Sequence, residues 1–170
     1  MRQVRRSMTV VLLVGLSVAA CGDTNRVGTA WGDGAFGSNG ERIYFTATSE
    51  SGTEIDYTGG PSPGGMMMGG RLTCASCHGT DARGGVHTMP MQVMDAPNIR
   101  WETLAEHDSE PHEAEDGTDE TGYDFETFRT AVTEGRHPDG EPMSDDMPRW
   151  KISETDLTDL AEYLQSLSAP

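Results

Sequence analysis

The amino-acid sequence predicts an all-α domain of short helices joined by long loops, and three observations support this. Apolar residues recur with helical spacing in only a few segments, one early in the domain and two in its last third. The 170 residues include 21 glycines and 9 prolines, which favour turns over long regular elements. The apolar content of 35% is modest, so we expect something other than side chains to supplement the core.

The first predicted helix begins at a capping pattern. Ser38 is followed three residues later by Glu41, an arrangement in which the serine caps the helix and the glutamate reaches back toward the free backbone N–H groups. The apolar residues that follow predict a helix near residues 39–48.

Two more helices are predicted near the end of the chain. The earlier one ends at Gly135 and has three apolar residues on one face, Phe125, Phe128 and Val132. The later one is capped by Ser153 and Asp156, and its apolar stripe comprises Leu157, Leu160, Ala161, Leu164 and Leu167.

The N-terminal residues predict export and a lipid anchor. Three arginines precede a thirteen-residue apolar run that is too short to span a bilayer as a helix, which indicates a signal peptide over residues 1–20. The run ends in Val-Ala-Ala-Cys and resembles the bacterial lipobox, so Cys21 is the expected lipidation site, with plain secretion and a free thiol as the alternative. We expect a membrane-anchored lipoprotein facing the periplasm or cell exterior, with a Gly-rich tether over residues 21–37.

The charge excludes nucleic acid as a partner. The formal net charge is −16, and it becomes −19 once the three arginines of the signal peptide are removed. Residues 106–122 contain almost no apolar residue and neither Lys nor Arg, so we expect an acidic insertion there. It is either a solvated surface or a docking face for a basic partner.

The strongest chemical signal is Cys-Ala-Ser-Cys-His at residues 74–78, the pattern of c-type haem attachment. Cys74 and Cys77 can form thioether bonds with the two vinyl groups of one haem, which places His78 beneath the iron as an axial ligand. A redox dithiol would require a βαβ context, and a structural zinc site would require a second Cys/His pair. We therefore predict one covalent haem c and no other metal.

A methionine late in the chain is the expected second axial ligand. Met147 lies in Met-Pro-Arg-Trp, within a non-helical loop between the last two helices that Pro148 stiffens. Met143 is the main competitor, and His137 is a further alternative.

With these motifs the chain resembles the class I cytochrome c family of all-helical electron carriers over roughly residues 38–168. The CASCH segment is similar to the haem-binding box of that family, and MPRW at 147–150 is similar to the loop whose methionine binds iron. The pairs that resemble the crossing of the first and last helices are Gly40 with Tyr44 and Leu160 with Tyr163. The segment at 96–99, APNI, is similar to the one whose proline carbonyl accepts the hydrogen bond of the proximal histidine, which makes Pro97 the expected acceptor and Pro90 the alternative.

The resemblance implies a cytochrome c domain over residues 38–170 that carries electrons in a respiratory chain and is not itself an enzyme. Its partner would be a redox protein or respiratory complex with a basic docking face. The alternative function is a haem-based gas sensor or peroxidase-like subunit with an open distal site, where Arg149 or His137 would assist the chemistry.

Overall fold

The fold is described from a computed structural model that covers residues 34–61, 71–89, 92–106 and 122–168. The predicted signal peptide, Cys21, most of the tether and nearly all of the acidic insertion lie outside the described residues, as does Pro90. Within the described ranges, no helix is both long enough and apolar enough to cross a membrane.

The described residues form five helices and four short strands. The helices are α1 (Asn39–Thr46), α2 (Cys74–His78), α3 (Trp101–Ala105), α4 (Phe125–Glu134) and α5 (Glu154–Ser166). The strands are β1 (Asp56–Thr58), β2 (Gly85–Met89), β3 (Gln92–Ala96) and β4 (Arg149–Lys151).

The predicted N-caps of α1 and α5 are confirmed. The Ser38 hydroxyl accepts from the Glu41 N–H at 3.1 Å, and the Ser153 hydroxyl accepts from the Asp156 N–H at 3.2 Å. Helix α1 is shorter than predicted, because Ala47 adopts a left-handed conformation with a φ of 50° and ends the helix.

Helices α1 and α5 cross at small and aromatic residues, as the family resemblance implies. A Cβ added at Gly40 would lie 2.8 Å from the Cβ of Tyr163 and would overlap the backbone of Asp159, so only glycine permits this approach. Next to it, the rings of Tyr44 and Tyr163 lie 5.4 Å apart between centroids. The crossing places the buried face of α1, including Ile43 and Tyr44, against the centre of the domain.

A polar network fixes the rim of the same crossing. Asn39 donates to Asp156 Oδ1 at 2.9 Å and to Asp159 Oδ2 at 2.6 Å. Ser49 donates to the same Asp156 oxygen at 2.7 Å. Burial of Asp156 opposes its ionisation, but the hydrogen bonds from Asn39, Ser49 and Ser153 outweigh burial and lower its pKa. The carboxylate therefore stays ionised where the two helices meet.

The prediction of an all-α fold is confirmed only in part, because the described residues include two small antiparallel sheets beside the five helices. Strands β2 and β3 form a hairpin, and β1 pairs with β4 so that Tyr57 lies opposite Trp150. Strands of three residues are too short to show an alternating pattern, which is why β1 and β4 are not visible in the sequence. In the hairpin, Val86 and Val93 are exposed while Met94 is buried, so the hairpin covers the domain with one face.

Candidate functional site

The centre of the domain is an apolar cavity of about 310 Å³. Its wall consists of side chains from all of the main elements and includes much of the hydrophobic core: Ile43, Tyr44, Ile55, Leu72, Met94, Ile99, Leu104, Phe128, Val132, Trp150, Leu160 and Leu164. A cavity with this lining is suited to a large apolar group.

Helix α2 brings the Cys-x-x-Cys-His motif to the cavity wall. The helix begins with a capping box, in which Thr73 accepts from the Ser76 N–H and the Ser76 hydroxyl accepts from the Thr73 N–H, both at 3.2 Å. Cys74, Cys77 and His78 all line the cavity. The two thiols are not joined in a disulfide, so both sulfur atoms are available for bonds to a ligand.

The environment of the thiols differs from that of a redox dithiol. Burial raises the pKa of Cys74 to about 12, and burial followed by the nearby charge of Asp146 raises the pKa of Cys77. Redox-active dithiols depend on a lowered thiol pKa instead. Among the described residues, no group of three or more His, Cys, Asp or Glu side chains is placed to hold a metal ion.

His78 is buried, and a backbone carbonyl orients its ring. Its Nδ1 donates to the carbonyl oxygen of Pro97 at 2.9 Å, which confirms Pro97 as the acceptor expected from the family resemblance. This bond fixes the tautomer with the proton on Nδ1, so Nε2 is the nitrogen with a lone pair for a metal.

The end of α2 is tied to the rest of the domain through the residues after His78. The Tyr44 hydroxyl donates to the Gly79 carbonyl at 2.6 Å, which connects α1 to the motif. The Gly84 N–H donates to the His78 carbonyl at 2.9 Å. Sequence reasoning did not identify these contacts, because they join segments that approach each other only in the folded chain.

Both candidate methionines reach the cavity from the segment between α4 and β4. Met143 and Met147 line the wall, as do Pro148 and His137. His137 Nδ1 lies 3.2 Å from the Tyr123 hydroxyl, within hydrogen-bond distance. Arg149 is not among the described residues that line the cavity, and its guanidinium contacts backbone carbonyls of the preceding loop instead.

The residues present fit a covalently bound haem. The two thiols lie three residues apart, as attachment of haem through thioethers requires. The Pro97 bond leaves Nε2 of the histidine as the nitrogen for the iron, and a methionine loop lies on the same apolar wall. Helices packed around such a site define the c-type cytochromes.

A comparison with protein families agrees with this class. The cytochrome c family matches residues 39–168, which is more than half of the chain, and the chain belongs to this family. Its cofactor is therefore covalently bound haem c, and its general role is haem-based electron transfer. Neither the search of curated proteins nor that of solved structures found a match.

The contact between Pro97 and His78 can be tested at Gly84. This residue has a φ of +69°, and a Cβ there would lie 2.5 Å from the Pro97 carbonyl oxygen, so Gly84→Ala should displace the acceptor of the His78 bond. We expect a loss of about 2 kcal/mol in the free energy of unfolding of the haem-loaded protein. The Nδ1 proton of His78 should also exchange faster with solvent, as measured by NMR in the ferrous state.

Gly85→Ala is the matched control. Its φ of +126° is also unfavourable for alanine, but no atom lies within 4 Å of its added Cβ. Equal losses of stability and equal exchange rates in the two variants would show that the Pro97 carbonyl does not hold the ring.

Proposed function

We propose that the protein is a single-haem electron carrier of a respiratory chain, with haem attached through Cys74 and Cys77 and iron held by His78 and Met147. The observation that carries this proposal is the convergence of the CASCH helix and a methionine loop on one apolar cavity. When bound, haem supplies an iron centre that alternates between the Fe(II) and Fe(III) states.

The groups around the cavity set the orientation of the histidine ligand and favour one oxidation state of the iron. The Pro97 carbonyl holds the His78 ring in one orientation, so little rearrangement accompanies a change of oxidation state. The wall is mostly apolar and offers little polar surface to stabilise the extra positive charge of the ferric state. A neutral thioether ligand favours the ferrous state as well, so we expect a comparatively high reduction potential.

The contacts of Arg149 favour the carrier over a peroxidase-like protein or gas sensor. A catalytic distal site commonly needs a cationic or hydrogen-bonding side chain aimed at the bound molecule, and Arg149 was the arginine available for that role. Its guanidinium instead donates to the Met143, Ser144 and Met147 carbonyls. His137, the other residue considered for a catalytic distal site, does line the cavity, with its Nδ1 within hydrogen-bond distance of the Tyr123 hydroxyl.

Replacing each candidate methionine tests which one binds iron. Met147→Ala should remove the sulfur-to-iron charge-transfer band of the ferric protein, lower the reduction potential and allow ready binding of carbon monoxide to the ferrous form. Met143→Ala is the matched control, since it removes the same thioether from the same cavity wall, and it should leave the band in place. Loss of the band in Met143→Ala alone would identify Met143 as the ligand.

The membrane-tethered part of the proposal depends on the N-terminal sequence. The basic and apolar residues 1–20, followed directly by Cys21, support export with a lipid anchor. Acyl chains on Cys21 would hold the protein at the membrane surface, with the Gly-rich residues 22–37 between the anchor and the domain.

Cys21→Ser in the full-length chain should move the protein from the membrane fraction to the soluble exported fraction. The haem spectrum should not change, since Cys21 precedes the cytochrome c domain. Fractionation followed by haem staining measures both properties at once. An unchanged membrane fraction would refute lipidation at Cys21 as the anchor.

The charge of the chain supports a redox partner with a basic docking face. A net charge of −16, or −19 without the three arginines of the signal peptide, with eight acids from Asp108 to Asp124, produces a field that attracts positively charged surfaces. Electron-transfer complexes have small interfaces and are short-lived, so this field would act on the rate of association more than on the lifetime of the complex.

A further inference from the structure

The guanidinium of Arg149 holds the backbone of the loop that contains both candidate methionines, residues 143–147. It donates to the carbonyl of Met147, to that of Met143 at 3.2 Å and to that of Ser144 at 3.4 Å. A planar guanidinium has five N–H donors in a fixed arrangement, so one side chain can satisfy several carbonyls together. Three residues of one loop are therefore held by a single side chain.

Gly135 provides the surface on which this guanidinium packs. It ends α4 with a φ of +69°, and its carbonyl accepts from the Met143 N–H at 2.8 Å. A Cβ at this position would overlap Nε and Cζ of Arg149. The loop is thus fixed to the end of α4 twice, directly through Met143 and indirectly through Arg149.

The position of Arg149 in the fold makes it a rigid support. It is the first residue of β4 and lies opposite Thr58 of β1. The next residue, Trp150, is buried and packs on Tyr57 with a centroid distance of 5.0 Å. None of the ion pairs found among the described residues includes Arg149. Within the described chain, the hydrogen bonds of the Arg149 side chain go to the 143–147 loop.

We propose that Arg149 is a positioning residue for the distal iron ligand, and that Gly135 is required to place it. This inference rests on the proposed function, in which Met147 is the ligand. A thioether is a neutral, soft donor that binds ferric iron weakly, so its occupancy depends on how well the loop holds it at the iron. Loss of the guanidinium contacts would free the loop and let external ligands compete, first in the ferric state.

The test measures imidazole binding to the ferric, haem-loaded protein. In Arg149→Gln the imidazole affinity should rise about tenfold or more. Tenfold is the lower end of the range over which metal affinity changes when a residue that orients a metal ligand is removed. The sulfur-to-iron band should weaken in parallel. Arg149→Lys keeps the charge but lacks the planar fork, so its potential should stay closer to that of the unmodified protein while imidazole affinity still rises.

A pair of glycine variants tests the same inference without changing the arginine. Gly135→Ala should raise the imidazole affinity because its Cβ displaces the guanidinium. Gly140→Ala is the matched control, since its φ of +89° is similarly unfavourable but no atom lies within 4 Å of the added Cβ. If Arg149→Gln does not fold, this pair decides the question alone.

The outcomes separate this inference from the proposed function. A sulfur-to-iron band that is absent from the unmodified ferric protein would contradict methionine ligation itself, and the inference would fall with it. A second outcome is a normal band in the unmodified protein together with imidazole affinities of Arg149→Gln and Gly135→Ala that lie within twofold of the unmodified protein's affinity. That outcome would overturn only the role of Arg149. Equal effects of Gly135→Ala and Gly140→Ala would overturn it as well.

Discussion

The apolar cavity beside α2 is the constraint on which the rest of the fold depends. Its wall is made of the side chains that also form the hydrophobic core, among them Ile43, Phe128 and Leu160. With 35% apolar residues, the chain has few side chains to fill this space, and haem supplies the missing apolar surface. Helices α1, α4 and α5 are arranged around this cavity, so we expect cofactor attachment and folding to be coupled.

Backbone carbonyls accept the hydrogen bonds found at both proposed axial ligands. The Pro97 carbonyl orients His78, and the carbonyls of the 143–147 loop are held together by Arg149. Each arrangement requires a glycine, because a Cβ at Gly84 would overlap the Pro97 carbonyl and a Cβ at Gly135 would overlap the Arg149 guanidinium. Because these polar contacts use backbone carbonyls, the wall of the cavity can remain largely apolar.

Local signals in the sequence were sufficient for α1, α4, α5 and the haem motif. Ser38 and Ser153 cap their helices as predicted, since a cap depends on residues three positions apart. Strands β1 and β4 could not be predicted, because each has only three residues and their pairing joins distant segments. The bond between His78 and Pro97 was expected from the family resemblance, whereas the contact of Arg149 with Gly135 had no local signal and required the folded backbone.

Mass spectrometry of the denatured, matured protein tests covalent haem attachment most directly. The account predicts one haem per chain that survives acid denaturation and digestion, located on the peptide that contains Cys74 and Cys77, with neither thiol available for alkylation. Haem that extracts into acidified organic solvent, leaving both thiols free to react with an alkylating reagent, would contradict the account.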